Sequence, residues 1–411
     1  MSNQALRDSS GGRGGAILVF AAIVVVYLLL VYGAYKTFTS QVPGGNDFYP
    51  RWRGTRALFL DGQDPYSAEV TLQIQMDMYG RPARDEEDQV AFAYPLYVAF
   101  LVLPFALLPY PLAQASWLSA LVLAALGTLI VILRTLDWNP RPVVLIGLAL
   151  WSVLFYPTAR SIILGQISIV VLAAVALALW ALESGHDALA GCLLALATVK
   201  PQMIFLIVPF LLLVSLRRGA YRTVAAFLFA MAVLALLSFI VLPTWIQSFV
   251  AGLGSYQSYT SIYREGKSPL GVIAGYLLPS EFAAPVTVLI SVALVGYMVY
   301  VWIVSTKARA NPCQALFFTM VVTLLIPAQT GTTNQVLLLL PIVYGLALFP
   351  GSRVMRMGMP SLLLVGPWIL FLLAFSAIDG EHAIMSVPLP ILTLVVLPWT
   401  AKRAHIDVES S

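Results

Sequence analysis

Apolar and polar positions divide this chain into long apolar blocks separated by short charged punctuation, with one large exception near the start. The first apolar run extends from Ala16 to Tyr35, long enough to cross a bilayer as a helix. Further blocks occupy approximately 92–109, 112–133, 143–157, 167–183, 187–216, 223–243, 283–304, 313–326, 335–349, 361–377 and 384–399. They are continuous and do not alternate with period two, so they predict helices and exclude a membrane β-barrel. The block 187–216 is interrupted by Lys200-Pro201 and is counted once. The pattern predicts an all-α integral membrane protein, a polytopic bundle of about 12 spans, forming one domain over 1–411.

The exception is the polar segment 37–91. It holds nine of the chain's 19 acidic residues (Asp47, Asp61, Asp64, Glu69, Asp77, Asp85, Glu86, Glu87 and Asp88) and five arginines, Arg51, Arg53, Arg56, Arg81 and Arg84. Within it, Trp52 to Leu60 is amphipathic and aromatic, as suits an interfacial helix. The run Asp61-Gly62-Gln63-Asp64-Pro65-Tyr66 then reads as a helix stop and turn. The segment is predicted to be an extended first outer loop carrying interfacial helices.

Basic residues set the orientation. Arg217, Arg218 and Arg222, then Lys307 and Arg309, Arg353 and Arg356, and Lys402 and Arg403 fall between successive blocks. Placing all four groups in the cytoplasm gives a consistent alternation, with 244–282, 327–334 and 378–383 facing outward. Residues 1–15 form a cytoplasmic tail with Arg7 and Arg13. The run behind them is longer than a signal-peptide core and lacks a small-residue cleavage site, so an uncleaved first helix is expected.

Composition sharpens this picture. The chain is 60% hydrophobic and 10% charged, with a mean hydropathy of +0.88, where a soluble domain has roughly 25% charged residues. The net charge of +4 comes from basic residues in ones and twos and gives no nucleic-acid patch. Cys192 and Cys313 fall in or beside apolar blocks and form no C-x-x-C site. A Walker-type glycine loop, a dinucleotide fingerprint and an H-E-x-x-H pair are all missing, which removes support for ATP-driven transport, nicotinamide chemistry and zinc proteolysis.

Candidate chemistry begins at Asp47, in Gly44-Gly45-Asn46-Asp47-Phe48-Tyr49-Pro50 just past the first span. A carboxylate there suits a general base toward a sugar hydroxyl. It equally suits an N-cap for a helix opening at Tyr49. Arg160 and Lys200 are charges flanked by apolar runs. Such residues face a cavity and hold an anion such as a lipid phosphate, or snorkel to the headgroups. Tyr94-Pro95 opens the second span. Pro327-Ala328-Gln329-Thr330-Gly331-Thr332-Thr333-Asn334 is a polar outer turn. Residues Ser255 to Lys267, including Arg264, are rich in hydroxyls and aromatics, suiting carbohydrate or any headgroup-level loop. Glu86-Glu87-Asp88 is a solvated run or a site for a divalent cation, and no other cofactor and no metal-ligand set is indicated.

Taken together these motifs resemble glycosyltransferase family 87. Asp47-Phe48 and the later Gly62-Gln63-Asp64-Pro65-Tyr66 resemble its "D-F … G-x-D-P-Y" opening. There follow Phe92-Ala93-Tyr94-Pro95 with Pro104 and Leu108-Pro109, Gly165-Gln166-Ile167-Ser168 for "G-Q-x-N", Ala190-Gly191 leading to Lys200-Pro201, and Ile326-Pro327. The resemblance covers roughly residues 40–345. Ser168 stands where the family commonly has Asn, and Tyr94-Pro95-Leu96 has one proline where two are usual. The resemblance implies a GT-C fold and transfer of a hexose, mannose in the family, from polyprenyl phosphate to a glycolipid or glycan acceptor on the outer face of the cell membrane. Asp47 would be the base, with Arg160 and Lys200 offered for the phosphate. Tyr66, Tyr94, Gln166, Arg264, Gln329 and Asn334 complete the substrate-binding candidates. The alternatives are a transporter or flippase of a lipid-linked sugar, and a non-catalytic cell-envelope scaffold.

Overall fold

In the computed structural model, which describes residues 3–44, 47–84, 88–259, 268–305, 312–327, 330–348, 353–375 and 381–400, the chain is a helical membrane protein. The first half contains α1 (Asn3–Ala34), α2 (Phe48–Phe59), α3 (Ala68–Tyr79), α4 (Val98–Ala106), α5 (Tyr110–Thr135), α6 (Pro142–Leu154), α7 (Tyr156–Ile163), α8 (Ser168–Glu183), α9 (Asp187–Ala197) and α10 (Ile207–Arg217). The second half contains α11 (Tyr221–Val241), α12 (Trp245–Tyr259), α13 (Pro269–Leu277), α14 (Ser280–Ser305), α15 (Cys313–Leu325), α16 (Leu339–Leu348), α17 (Arg353–Ala374) and α18 (Pro388–Thr400).

Four helices among the described residues are long and apolar enough to cross a membrane: Ile17–Thr39, α5, α11 and α14. Their burial separates them. The apolar window of α5 is 56% buried within the protein, whereas those of the other three are between 0 and 6% buried. An apolar surface left outward needs lipid as its solvent, so α1, α11 and α14 form the periphery and α5 the centre. The pair α6–α7 forms a fifth apolar path, bent by 57°. Pro157 sits in the first turn of α7, where its missing N–H is tolerated, and it cannot continue α6.

Three blocks depart from the sequence expectation. Residues 92–97 are not helical, and the second block yields only the nine-residue α4, too short to cross a bilayer by itself. The block 187–216 is two helices, α9 and α10, because Pro201 forces Lys200 out of helical geometry to φ −133°, ψ 81°. Where the sequence predicts a polar outer turn over 327–334, Thr332–Leu338 is a 3-10 helix in which every residue is buried. The polar segment 37–91 does carry two helices, α2 and α3. The first of them, α2, has eight of its twelve residues buried and is seated on α4. Gly54 lets α2 approach Phe92, ahead of α4, since a Cβ there would lie 2.5 Å from the ring of Phe92.

One continuous core runs from Phe48 to Leu397. α5, α8, α9 and α11 pack in succession, and α15, α16 and α18 form a second group, joined to the first by the Thr332–Leu338 turn lying on α7 and α8. The result is a helical frame whose interrupted elements, at 165–167, 198–206 and 330–338, come together near the start of α2.

Candidate active site

Asp47 immediately precedes α2 and occupies its N-cap position, yet its side chain makes no capping hydrogen bond. The carboxylate turns away instead and accepts a hydrogen bond at Oδ2 from Nε2 of Gln166, a residue 119 positions away. The chain around it is fixed from both sides. The Gly44 carbonyl accepts hydrogen bonds from Tyr110 at 2.7 Å and Gln114 at 3.1 Å, both on α5. Phe48, fully buried, stacks on Trp117 with ring centroids 5.1 Å apart and 8° between planes.

Gln166 owes its position to a helix stop. Gly165 follows the C-cap of α7 with φ +65°, a left-handed geometry that favours glycine. The amide of Gln166 then bonds back to the Ser161 carbonyl at 2.7 Å and that of Gly165 to Ile162 at 2.9 Å, the paired bonds of a Schellman stop. The reversal presents the Gly165 carbonyl inward, where it accepts from Arg51 at 2.6 Å and from the Trp117 indole at 2.7 Å.

Lys200 approaches from the break between α9 and α10 and is only 4% exposed. Its ammonium donates to Oε1 of Gln166 at 2.9 Å and to the Ser168 hydroxyl at 2.8 Å. Gln166 therefore links a carboxylate to an ammonium through one amide. That amide has a single sensible orientation, NH2 toward the anion and C=O toward the cation, because the flipped form would set like partial charges against both neighbours. Asn334, 4% exposed, brings Oδ1 to 3.5 Å from Ser168 Oγ.

Arg51 completes the cluster, and it was not among the residues singled out as candidates. It is fully buried, one helical turn past Asp47, and donates to the Tyr94 hydroxyl at 2.6 Å as well as to Gly165, with its guanidinium 4.8 Å from the Tyr94 ring centre. Its Nε has no partner among the described residues. The spacing of four from Asp47 is the one signal in the sequence that puts both groups on the same side of α2. Burial pushes the Tyr94 phenol up from its ordinary value, against the opposing pull of Arg51, so it stays neutral. Tyr66, also pushed up by burial, donates to the Tyr94 carbonyl at 2.6 Å. Asp64 holds that tyrosine by accepting its amide at 2.8 Å and the Ser248 hydroxyl at 2.8 Å. Asp64 and Tyr66 are thus scaffolding for Tyr94.

Two charges act on the Lys200 ammonium: the Asp47 carboxylate attracts it and the Arg51 guanidinium repels it. Two buried cations facing one carboxylate leave an excess of positive charge, a setting that favours an anionic ligand.

The structure thus brings together Asp47, Tyr94, Gln166, Lys200 and Asn334, with Tyr66 one contact removed. Arg160 stands apart, on α7, over the ring of Phe371 at 5.5 Å and without a hydrogen bond to any of these. Arg264 and Gln329 lie outside the described residues, as do Glu86 and Glu87 of the acidic run. Asp88 of that run accepts the Val90 amide at 3.1 Å.

Residues 92–328, more than half of the chain, match the family model described as Glycosyltransferase family 87. The matched segment contains Tyr94, Gln166, Ser168 and Lys200, while Asp47 and Arg51 precede it. No curated protein and no solved structure matches the chain.

Proposed function

Given that the chain belongs to glycosyltransferase family 87 and is a membrane glycosyltransferase, we propose that it moves a hexose, mannose first among the candidates, from a polyprenyl-phosphate donor to a hydroxyl of a glycolipid or glycan on the extracytoplasmic face of the cell membrane. The observation that carries this reading is the Gln166 amide joining Asp47 to Lys200. Glycosyl transfer from a lipid phosphate needs a base for the acceptor and a cation for the leaving phosphate, and a carboxylate and an ammonium joined through one amide support this reading.

In this reading Asp47 takes the proton of the acceptor hydroxyl as its oxygen attacks the anomeric carbon. The bond from that carbon to the phosphate oxygen breaks with inversion, its electron pair leaving with the lipid phosphate. Lys200 stabilises the charge that develops there. Gln166 occupies Oδ2 of Asp47, so Oδ1 is the oxygen that faces the acceptor. Arg51 is a positioning residue. It is too deeply buried to meet substrate, and it holds the Gly165 carbonyl and Tyr94, and through them the Gln166 turn.

Membership of the family displaces the scaffold and transporter readings. The test is purified protein in nanodiscs with radiolabelled polyprenyl-phosphate mannose and a glycolipid extract. Labelled product together with released lipid phosphate supports the proposal. Transfer only from a different activated sugar would keep the transferase and overturn the donor assignment.

A further inference from the structure

A second polar cluster lies at the start of the Thr332–Leu338 turn, and the reaction proposed above does not use it. Tyr156, the first residue of α7, donates its hydroxyl to Glu381, 225 positions away. The Thr332 hydroxyl is shared between the two carboxylate oxygens of Glu381 at 2.7 and 2.8 Å. Each of these hydroxyls carries one proton, so two donors serve a group with about four acceptor positions. Among the described residues no cation lies within ion-pair distance of Glu381.

Arg160, one turn beyond Tyr156 on α7, supplies the complementary chemistry. It makes no hydrogen bond among the described residues, and its Nε is buried without a partner. The hydroxyl of Thr158, two residues before it, is likewise buried and unpartnered. Half-buried rings of α17 line the same place. Trp368 meets Tyr156 with centroids 5.0 Å apart and nearly perpendicular planes, and Phe371 lies 5.5 Å from Tyr156.

A carboxylate with vacant lone pairs, a guanidinium with free N–H groups and apolar ring faces form a set suited to a polyhydroxylated ring. Sugar hydroxyls both donate and accept, and the C–H faces of the sugar lie on aromatic planes. A lone anion fits less well, because Glu381 repels it. The place also adjoins the reaction centre: Thr332 and Asn334 belong to one turn, and Asn334 reaches Ser168, which bonds Lys200. We propose that Glu381 and Arg160 form a subsite for a hexose ring of the acceptor, an inference that rests on the glycosyl-transfer reading for its place in the reaction.

The test is equilibrium binding to the protein in nanodiscs, without donor, of octyl α-mannoside, octyl β-glucoside and octyl β-galactoside, with octyl phosphate alongside. At least one hexoside is expected to bind saturably, and Glu381→Gln and Arg160→Gln are each expected to weaken it about ten-fold or more, as befits loss of hydrogen bonds to a charged group. Arg160→Gln removes no existing hydrogen bond and carries the test if Glu381→Gln fails to fold. Binding of none of the hexosides, binding unchanged in both variants, or binding of octyl phosphate alone with loss in Arg160→Gln would overturn the subsite. No donor is present, so failure of transfer from polyprenyl-phosphate sugars bears on the earlier reading and leaves this result intact.

Discussion

At the scale of single residues, Gln166 is the part on which the proposed chemistry depends. One amide satisfies a carboxylate and an ammonium that would otherwise compete for water or for each other. Replacing it by Leu, similar in size, strips both charges of that partner. Hydrogen bonds to charged groups contribute about 1.5–3 kcal/mol each. Gln166→Leu is therefore expected to lower kcat for sugar transfer about 100-fold or more, with a smaller change in donor KM. Gln166→Glu should behave as badly for a different reason, since its carboxylate would keep Lys200 but repel Asp47. Steady-state kinetics on both variants decide this, and near-normal kcat in either would remove Gln166 from the centre. Asp47, Gln166 and Lys200 were legible in the sequence because each carries a local mark: an acid among glycines after a span, a glycine-glutamine pair, a lysine before proline. Arg51 carried only its spacing of four from Asp47, and it is one of five arginines in a segment crowded with acids. Only folding selects it, by burying it against Gly165 and Tyr94.

At the scale of elements, the site is built where helices stop. The Schellman stop after α7, the proline break between α9 and α10, and the 3-10 turn before α16 each present a polar side chain or carbonyl that a continuous helix would occupy internally. These stops hold their positions only if the flanking helices are packed closely. Gly191 on α9 shows how closely, because a Cβ there would lie 2.2 Å from the Thr223 carbonyl oxygen and 2.7 Å from the Phe227 nitrogen of α11. Backbone atoms cannot step aside as side chains do. Gly191→Leu is expected to force α9 and α11 apart, costing at least the roughly 1–3 kcal/mol of an overpacked core, and to displace Lys200 nine residues later. Thermal unfolding in detergent should show a lower midpoint, and an unchanged midpoint would contradict this close packing. The apolar blocks were legible because long runs of one character survive any packing. The short elements were not. Block 92–109 looks like a span by composition, yet 92–97 is non-helical and is tied down by side-chain contacts such as Tyr66 to the Tyr94 carbonyl and Tyr97 to Thr198. Residues 332–334 are polar enough to pass for part of an outer turn, and they are buried with Gln335 where Glu381 and Ser386, distant in sequence, supply partners for Thr332 and Gln335.

At the scale of the whole molecule, three outward-facing apolar helices and one largely buried helix describe a protein that sits in a membrane, and the side from which its polar centre is reached is a matter of orientation. The basic groups predict which side. With Cys192 and Cys313 replaced by Ala, single cysteines at Glu69 and Glu281 are expected to react with a membrane-impermeant maleimide from outside intact cells, and one at Arg218 only after permeabilisation. Labelling of Glu69→Cys and Arg218→Cys from the same side would overturn the orientation. The most direct test of the account is sugar transfer by Asp47→Asn measured against the unaltered protein at matched folding. Asn keeps an oxygen for the Gln166 amide but cannot take the acceptor proton at neutral pH, so the surroundings stay and the base is lost. The account predicts a fall of about 10²–10⁴-fold in kcat with donor binding retained. Equal turnover in the two proteins would contradict it and move the search for the base away from the segment 37–91.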